Sequence, residues 1–219
     1  MFQNMTTMRF SPSRRGFLGL AASALLLAGL PGPAAAQEEV AAAIADHFSS
    51  IRTMTGDFIQ FGPRGEQTGG KFYIQRPGKV HFQYESPSSY RVIADGKSVV
   101  VDNKKLKTAD LYPLSKTPLK LLLDNRIDLS GSKVRSVSQD GDAVTIQLVD
   151  KSVFGNARIA MMFSAKDYSL IQWTITDDQG KDTTVMIDNV REGVKIDPSL
   201  FAIDYARIRE LTTKKGMRN

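Results

Sequence analysis

The amino-acid sequence predicts a mainly β protein with helices, of the α+β class: a meander of antiparallel strands that curls into a barrel or a half-barrel around a hydrophobic cavity. Three observations predict this fold. Apolar side chains recur at every second position in short runs from Met54 onward. Tight-turn pairs such as Asp95-Gly96 and Asp140-Gly141 separate those runs, and only two segments show helical spacing. Because ten or more twisted strands do not stay flat, the sheet should curl around a cavity on its concave side.

The first 36 residues have the pattern of a bacterial export signal. Arg14 and Arg15 stand directly before the apolar stretch 17–30, as in twin-arginine signals, and the alanines at 34–36 offer a cleavage site. The apolar stretch is shorter than the roughly 20 residues of a membrane span. An uncleaved N-terminal anchor is the alternative. We expect a cleaved twin-arginine-type signal peptide over 1–36 and a protein exported to the periplasm.

The remaining residues, 37–219, predict a single domain with a basic C-terminal tail. The full chain has 29 Lys and Arg against 23 Asp and Glu, and the leader holds three of the arginines and no acid. The remainder therefore has a net charge of 26 minus 23, or +3. Basic residues are scattered among acids, which favours a solvated surface over a nucleic-acid partner. The chain has no cysteine for lipid attachment or a disulfide. We therefore expect the mature protein to be free in the periplasm.

Two local clusters of basic residues stand out from this mixed surface. They are Lys104-Lys105-Leu106-Lys107 and the tail segment 214–218. Either cluster is a candidate for contact with anionic headgroups or an acidic partner, and a frayed tail is the alternative for the second.

The elements follow one another along the chain in a simple order. An amphipathic helix is predicted over 37–51, because Ile44 and Phe48 recur at helical spacing. Loops are predicted at 62–65 and 68–70. Period-two alternation predicts strands over 54–61, 69–76, 79–85, 90–94, 98–102, 105–109, 133–139, 143–149, 158–164, 168–176 and 182–190.

A second, short helix is predicted inside the run of strands. Pro118 suits a first helical turn, and Leu119, Leu122 and Leu123 follow at i, i+3 and i+4. A helix in this place is well situated to cover the mouth of a half-barrel.

Alternation assigns a large apolar set to the inner face of the sheet. Its members are Phe58, Phe72, Ile74, Val80, Phe82, Tyr84, Val99, Val101, Ile146, Leu148, Ile159, Met161, Phe163, Trp173 and Ile175. The strands around 72–84 are the most informative, because Arg76-Pro77-Gly78 separates two strands rich in aromatic and aliphatic residues. We interpret this face as a surface that holds hydrocarbon. A filled core is the alternative for any single residue.

Between Phe48 and Tyr205 the sequence resembles the periplasmic outer-membrane lipoprotein carriers of the LolA family. The stretches that carry the resemblance are Gly56-Asp57-Phe58-Ile59-Gln60, the segment 70–79 with Arg76-Pro77-Gly78, Ala94-Asp95-Gly96-Lys97 and the segment 117–123. The order and spacing of the Arg-Pro-Gly stretch and the Asp-Gly turn are the specific part. Two departures are the twin-arginine-type leader and the basic tail.

The resemblance implies an unclosed antiparallel β half-barrel that is lined with hydrophobic side chains, with a helical lid over the hydrophobic cavity. It implies that Arg76 hydrogen-bonds to the lid and helps to hold the closed form. It also implies that residues of the following strand line a cavity for acyl chains. The predicted cavity wall consists of Phe58, Phe72, Ile74, Val80, Phe82, Tyr84, Ile159, Met161 and Trp173, and the lid helix presents Leu119, Leu122 and Leu123.

No catalytic constellation accompanies this apolar face. His47 and His81 are the only histidines, and the sequence has no Gly-x-Ser-x-Gly elbow, phosphate-binding glycine loop or His-Glu-x-x-His motif. Asp177-Asp178 and Asp140-Gly141-Asp142 are interpreted as hairpin turns and not as calcium ligands. We therefore expect neither an enzyme nor a metal or cofactor site.

The predicted function is a monomeric periplasmic carrier for acylated lipoproteins. Its expected partners are the lipoproteins, an inner-membrane ABC-type release complex, and an outer-membrane acceptor or the outer membrane itself. One alternative is a sensor of lipoproteins that regulates envelope stress on the same fold. The other is a carrier of a different lipid, such as a phospholipid or hopanoid.

Overall fold

A computed structural model describes residues 33–127, 134–149 and 157–216. Helix α1, Pro33–Ser50, is followed by the strands, by the short helix α2, Leu119–Leu123, and by the C-terminal helix α3, Tyr205–Gly216. Of the predicted export signal over 1–36, residues 1–32 lie outside the described residues. Proline at the first position of α1 needs no backbone donor there, so the helix begins four residues before the predicted start.

Eleven strands form one antiparallel sheet. They are β1 Thr53–Phe61, β2 Gln67–Gln75, β3 Lys79–Tyr84, β4 Tyr90–Asp95, β5 Ser98–Asn103, β6 Thr108–Pro113, β7 Val134–Asp140, β8 Ala143–Val149, β9 Arg158–Ser164, β10 Leu170–Thr176 and β11 Asp182–Glu192. Their spatial order is β6-β5-β4-β3-β2-β1-β11-β10-β9-β8-β7. In the described chain, no pairing joins β6 to β7, so the predicted unclosed antiparallel sheet with a few helices is confirmed.

One face of the sheet carries a continuous apolar core, and we call it the inner face. Met54 and Phe58 of β1, Phe72 of β2, Met161 of β9 and other residues of alternating position belong to the same buried cluster. Ile44 and Phe48 of α1 and the leucines of α2 belong to it as well. The two helices therefore cover the inner face, and the opposite side is called the outer face.

Two local predictions of secondary structure were wrong. The sixth strand lies at Thr108–Pro113 and not at 105–109, because residues 104–107 form the turn after β5 and the Asn103 side chain accepts a hydrogen bond from the Leu106 amide at 2.9 Å. The predicted loop 68–70 lies inside β2, where the glycines allow neighbouring strands to approach closely. In the first place a side-chain contact forms a turn where alternation predicted a strand, and in the second the pairing of strands overrides the turn propensity of the glycines.

The C-terminal segment packs on the outer face, where the sequence predicted no helix. The carboxylate of Asp102 is 1% exposed, and it accepts hydrogen bonds from Arg91 at 2.6 Å and from Arg207 at 2.9 Å. Ile208 of α3 packs against Ile93 and Val100 in a second apolar cluster. Charge and apolar contacts thus hold α3 against β4 and β5. Of the predicted frayed tail, residues 217 and 218 lie outside the described chain.

His81 lies on the outer face, below the short 3-10 turn Pro198–Phe201 that leads into α3, and is 7% exposed. Burial, followed by the positive charge of Arg91, lowers the pKa of His81 below its ordinary value. A histidine with a lowered folded pKa stabilises the fold fully above the unfolded pKa of about 6.5, and this contribution is lost as the pH falls below that value.

We expect the melting temperature to fall by a few degrees between pH 7 and pH 5, and the variant His81→Leu to lose this dependence. Thermal unfolding followed by circular dichroism across that pH range measures the effect. Gln83→Leu, at an exposed position of the same strand, is the matched control, because it introduces leucine without removing a titratable group, and it should keep the native profile. An unchanged profile for His81→Leu would contradict the assignment.

Candidate functional site

The predicted wall residues meet on the inner face. Phe58, Phe72, Ile74, Val80, Phe82, Ile159, Met161 and Trp173 are all buried in one cluster, and Tyr84 packs against that cluster half-buried. The ring of Phe58 lies edge-on to Phe82 at 5.1 Å and to Tyr84 at 5.0 Å, and Phe82 is 6.0 Å from Trp173. Strands that are distant in sequence therefore build one aromatic surface.

Helices α1 and α2 close over this surface. Phe48 of α1 is 1% exposed and contacts Phe163 edge-on at 5.6 Å. In α2, Leu122 and Leu123 are buried, as the helical spacing predicted. Leu119 is only half-buried, whereas Leu121, which the spacing did not select, is buried. A helix of five residues is too short for one clean apolar face.

Arg76, at the end of β2, connects both helices to the sheet. Its Nε donates to the carbonyl of Leu122 at 3.0 Å, and its Nη1 donates to the carbonyls of Phe48 at 3.0 Å and Ile51 at 2.5 Å. The guanidinium carbon lies 4.1 Å from the centre of the Phe48 ring. The carbonyls at the C-terminal end of α1 lack partners within the helix and carry partial negative charge, so a cation fits there.

The guanidinium of Arg76 is nearly removed from water, since the residue is 5% exposed. Burial, helped by the nearby charge of Arg52, lowers the pKa of Arg76 to about 10. The group is therefore still a cation at neutral pH. Its positive charge is balanced by neutral carbonyl dipoles in place of a carboxylate partner, so its attachment to the helices is breakable without separating an ion pair.

Further contacts fasten the two helices at the same end of the sheet. The Gly78 amide donates to the Leu123 carbonyl at 2.8 Å, and the Ile127 amide donates to the hydroxyl of Ser49 at 3.0 Å. Arg52 donates to the side chain of Asn125 at 2.8 Å. We call this group of contacts, together with those of Arg76, the latch. These acceptors lie on α1, at Ile51 directly after it, on α2 or in the segment after α2.

Tyr84 lies at the opposite end of the inner face. There the hydroxyl of Tyr84 donates to the side chain of Gln60 at 2.6 Å, and burial raises the pKa of Tyr84 to about 12. The hydroxyl therefore stays protonated and remains a donor at neutral pH. Tyr84 thus combines an apolar ring on the inner face with a polar group at its border.

The described residues hold no group of three or more His, Cys, Asp or Glu side chains placed to bind a metal ion. In the same part of the chain, no helix is both long and apolar enough to cross a membrane.

The family model and the curated relatives point to one family. The family model described as outer membrane lipoprotein carrier protein LolA matches residues 49–204. An outer-membrane lipoprotein carrier protein of Chromobacterium violaceum is 27% identical, over 82% of this chain and 89% of the relative. A protein of the same description from Methylococcus capsulatus is 30% identical, over 69% of this chain and 77% of the relative. The crystal structure of a LolA superfamily protein from Nitrosomonas europaea covers 75% of this chain and 98% of its own, with 10% identity and a TM-score of 0.41.

Proposed function

The chain belongs to the LolA family of outer-membrane lipoprotein carriers, whose function is carriage and not catalysis, and from that premise we propose that its inner face receives the acyl chains of lipoproteins. In this proposal the structure represents the closed, cargo-free state. Helices α1 and α2 form the lid, and Arg76 holds it shut. The observation that carries the proposal is the position of Arg76, which binds both helices across one continuous apolar face.

The energetics of lipid anchors explain why such a face is needed. Each buried methylene contributes about 0.8 kcal/mol, so an anchor of several acyl chains is held in a membrane by roughly tens of kcal/mol. A carrier must replace this apolar environment with its own side chains. The aromatic surface around Phe58, Phe82 and Trp173 offers that replacement once the helices move away.

Delivery requires that cargo is held less strongly by the carrier than by its acceptor. The closed state supplies this bias, because the helices compete with acyl chains for the same apolar side chains. Hydrogen bonds from a charged donor contribute about 1.5–3 kcal/mol each, and Arg76 makes three of them in the closed state. Closure is therefore favoured whenever cargo has an alternative apolar site.

Carriers of this family work in the periplasm, and lipoproteins are their cargo. For this chain we further propose export through a twin-arginine signal over 1–36 and action as a free monomer. An ATP-driven complex of the inner membrane would load it, and an outer-membrane acceptor or the outer membrane itself would receive the cargo. The match to lipoprotein carriers over most of their length favours this role over the regulatory sensor and over carriers of other lipids.

Site-specific photo-crosslinking tests where the acyl chains bind. A photoreactive phenylalanine analogue at Tyr84, on the inner face, should crosslink to the acyl chains of a triacylated peptide. The same analogue at Met186 should not, because Met186 is 40% exposed and pairs with Ile59 on the outer face. Mass spectrometry of the crosslinked peptides measures both outcomes. Equal crosslinking at the two positions would contradict an inner-face site.

Depletion in the native cell tests the cellular role. Loss of the protein should leave outer-membrane lipoproteins in the inner membrane, as measured by membrane fractionation. Acylated peptide that co-purifies with the protein would support lipoprotein cargo, whereas free phospholipid alone would contradict it.

A further inference from the structure

We propose that the turn between β5 and β6 docks the protein on the surface of an anionic phospholipid bilayer. The turn consists of Lys104, Lys105, Leu106 and Lys107, and all four residues are exposed. Leu106 is 64% exposed, more than any other large hydrophobic residue in the described chain. An apolar side chain at the tip of a turn, surrounded by three cations, is suited to the boundary between headgroups and acyl chains.

The fold holds this turn in one conformation. Asn103 is 5% exposed, and its side-chain oxygen accepts the amide of Leu106 at 2.9 Å. Lys107 adopts a left-handed backbone conformation with φ of 52°, which returns the chain into β6. The amide of Lys104 donates to the carbonyl of Ser89 in the adjacent loop at 3.4 Å. Leu106 is therefore presented to solvent by a built turn, with little entropy left to lose on docking.

The charge around the turn favours an anionic surface. Asp102, the acid directly before the turn, is buried and already bonded to Arg91 and Arg207. Asp110 on β6 is the next acid along the chain, so the segment 103–110 carries three positive charges and one negative charge. The net positive charge lies at the turn itself, next to Leu106.

An exposed tyrosine lies beside the turn. Tyr90, the first residue of β4, is 45% exposed and pairs in register with Asn103. Tyrosine is enriched where a protein meets the membrane interface, because its ring is apolar and its hydroxyl remains hydrated. The apolar contribution to docking thus continues from Leu106 to the adjacent end of β4.

The turn lies at the end of the sheet away from the latch. The register of β2 to β5 places Gln75, Lys79 and Asp95 at the end that holds Arg76, whereas Tyr90, Asn103 and Thr108 lie at the opposite end. Docking through the turn would hold this opposite end against the bilayer and leave the latch free to open. This role is separate from cargo binding, so it is testable with cargo-free protein.

Vesicle flotation with the full exported protein tests the proposal. Native protein should float with vesicles of phosphatidylethanolamine that contain one quarter phosphatidylglycerol, and the bound fraction should fall at high salt. It should not float with phosphatidylcholine vesicles. Lys104→Gln with Lys105→Gln should weaken binding by about fivefold for each lysine. Leu106→Asn should weaken it by about tenfold or more, since it removes one buried apolar side chain.

Matched controls are available on other surfaces. Lys166→Gln with Lys195→Gln removes two exposed charges elsewhere, and Met186→Asn removes an exposed apolar side chain from the outer face. Both controls should bind vesicles as the native protein does. The proposal is overturned if native protein does not float or if the turn variants float as well as native protein. It is also overturned if the turn variants lose cargo transfer although native protein does not bind vesicles, because that result would indicate a protein acceptor. Failure of the cargo crosslink at Tyr84 would instead concern the proposed function.

Discussion

Replacing Arg76 with leucine is expected to leave a folded protein that binds acylated cargo more tightly. Its rate of cargo transfer to acceptor vesicles should fall by at least about tenfold. The substitution removes the donor that holds the carbonyls of Phe48, Ile51 and Leu122. Each of these bonds contributes about 1.5–3 kcal/mol, and 1.4 kcal/mol already corresponds to tenfold in an equilibrium. The closed state therefore competes less well against bound acyl chains.

The fold itself should survive this change. Burying a guanidinium carries a desolvation cost, which is visible in the lowered pKa of Arg76, and leucine avoids that cost and can pack against Phe48. Removing the charge therefore offsets part of the loss of the three bonds. We expect the melting temperature to shift by a few degrees, far less than unfolding of the sheet would require.

Two measurements check the expectation. Equilibrium titration with a fluorescent triacylated peptide gives the cargo affinity, and transfer of the same peptide to acceptor vesicles gives the release rate. Arg158→Leu is the matched control, because Arg158 on β9 is exposed and takes no part in the latch. It should change both values little.

Arg76→Lys separates charge from geometry. One ammonium group can reach one helix but does not reproduce the planar donors that bridge two, so an intermediate transfer rate is expected. Native affinity and native transfer in Arg76→Leu would contradict a latch at this residue. Equal values for the lysine and leucine variants would show that the charge alone contributes nothing.

Alternation along the sequence predicted most of the sheet well because most of its strands bury one face. The turns at Asp95-Gly96 and Asp140-Gly141 lie where the chain predicted them. The sixth strand was misplaced because β6 is an edge strand exposed on nearly all its residues, so burial imposes no alternation there. Period-two reasoning fails where neither face of a strand is covered.

Helix α3 and the latch were harder to predict, for a different physical reason. The acceptors of Arg76 are backbone carbonyls, and a carbonyl at a helix end has no sequence signature of its own. The role of Arg76 was predicted from the family resemblance and not from the spacing of residues. Helix α3 was missed because Arg207 and Ile208 gain their partners only from strands about 100 positions away. Contacts between distant segments decide both features.

The second large expected effect concerns Gly70, which the sequence suggested was part of a loop. A Cβ atom at this position would lie 2.0 Å from the carbonyl oxygen of Gln83 and 2.9 Å from the Cα of Tyr84. Both atoms belong to the backbone of β3, so no side-chain rotation can relieve the clash. Gly70→Ala must therefore push β2 and β3 apart or fail to fold.

We expect Gly70→Ala to lower the free energy of unfolding by at least about 3 kcal/mol, measured by urea denaturation. Gly65→Ala is the control: a Cβ atom there meets nothing within 4 Å, although its φ of 80° adds a strain of about 1 kcal/mol. Equal stability of the two variants would contradict the close approach of the strands. Because Tyr84 and Phe82 lie on β3 and Phe72 on β2, separating these strands also disrupts the aromatic surface. Residual folded Gly70→Ala protein should therefore bind acylated peptide more weakly, the opposite of the change expected for Arg76→Leu.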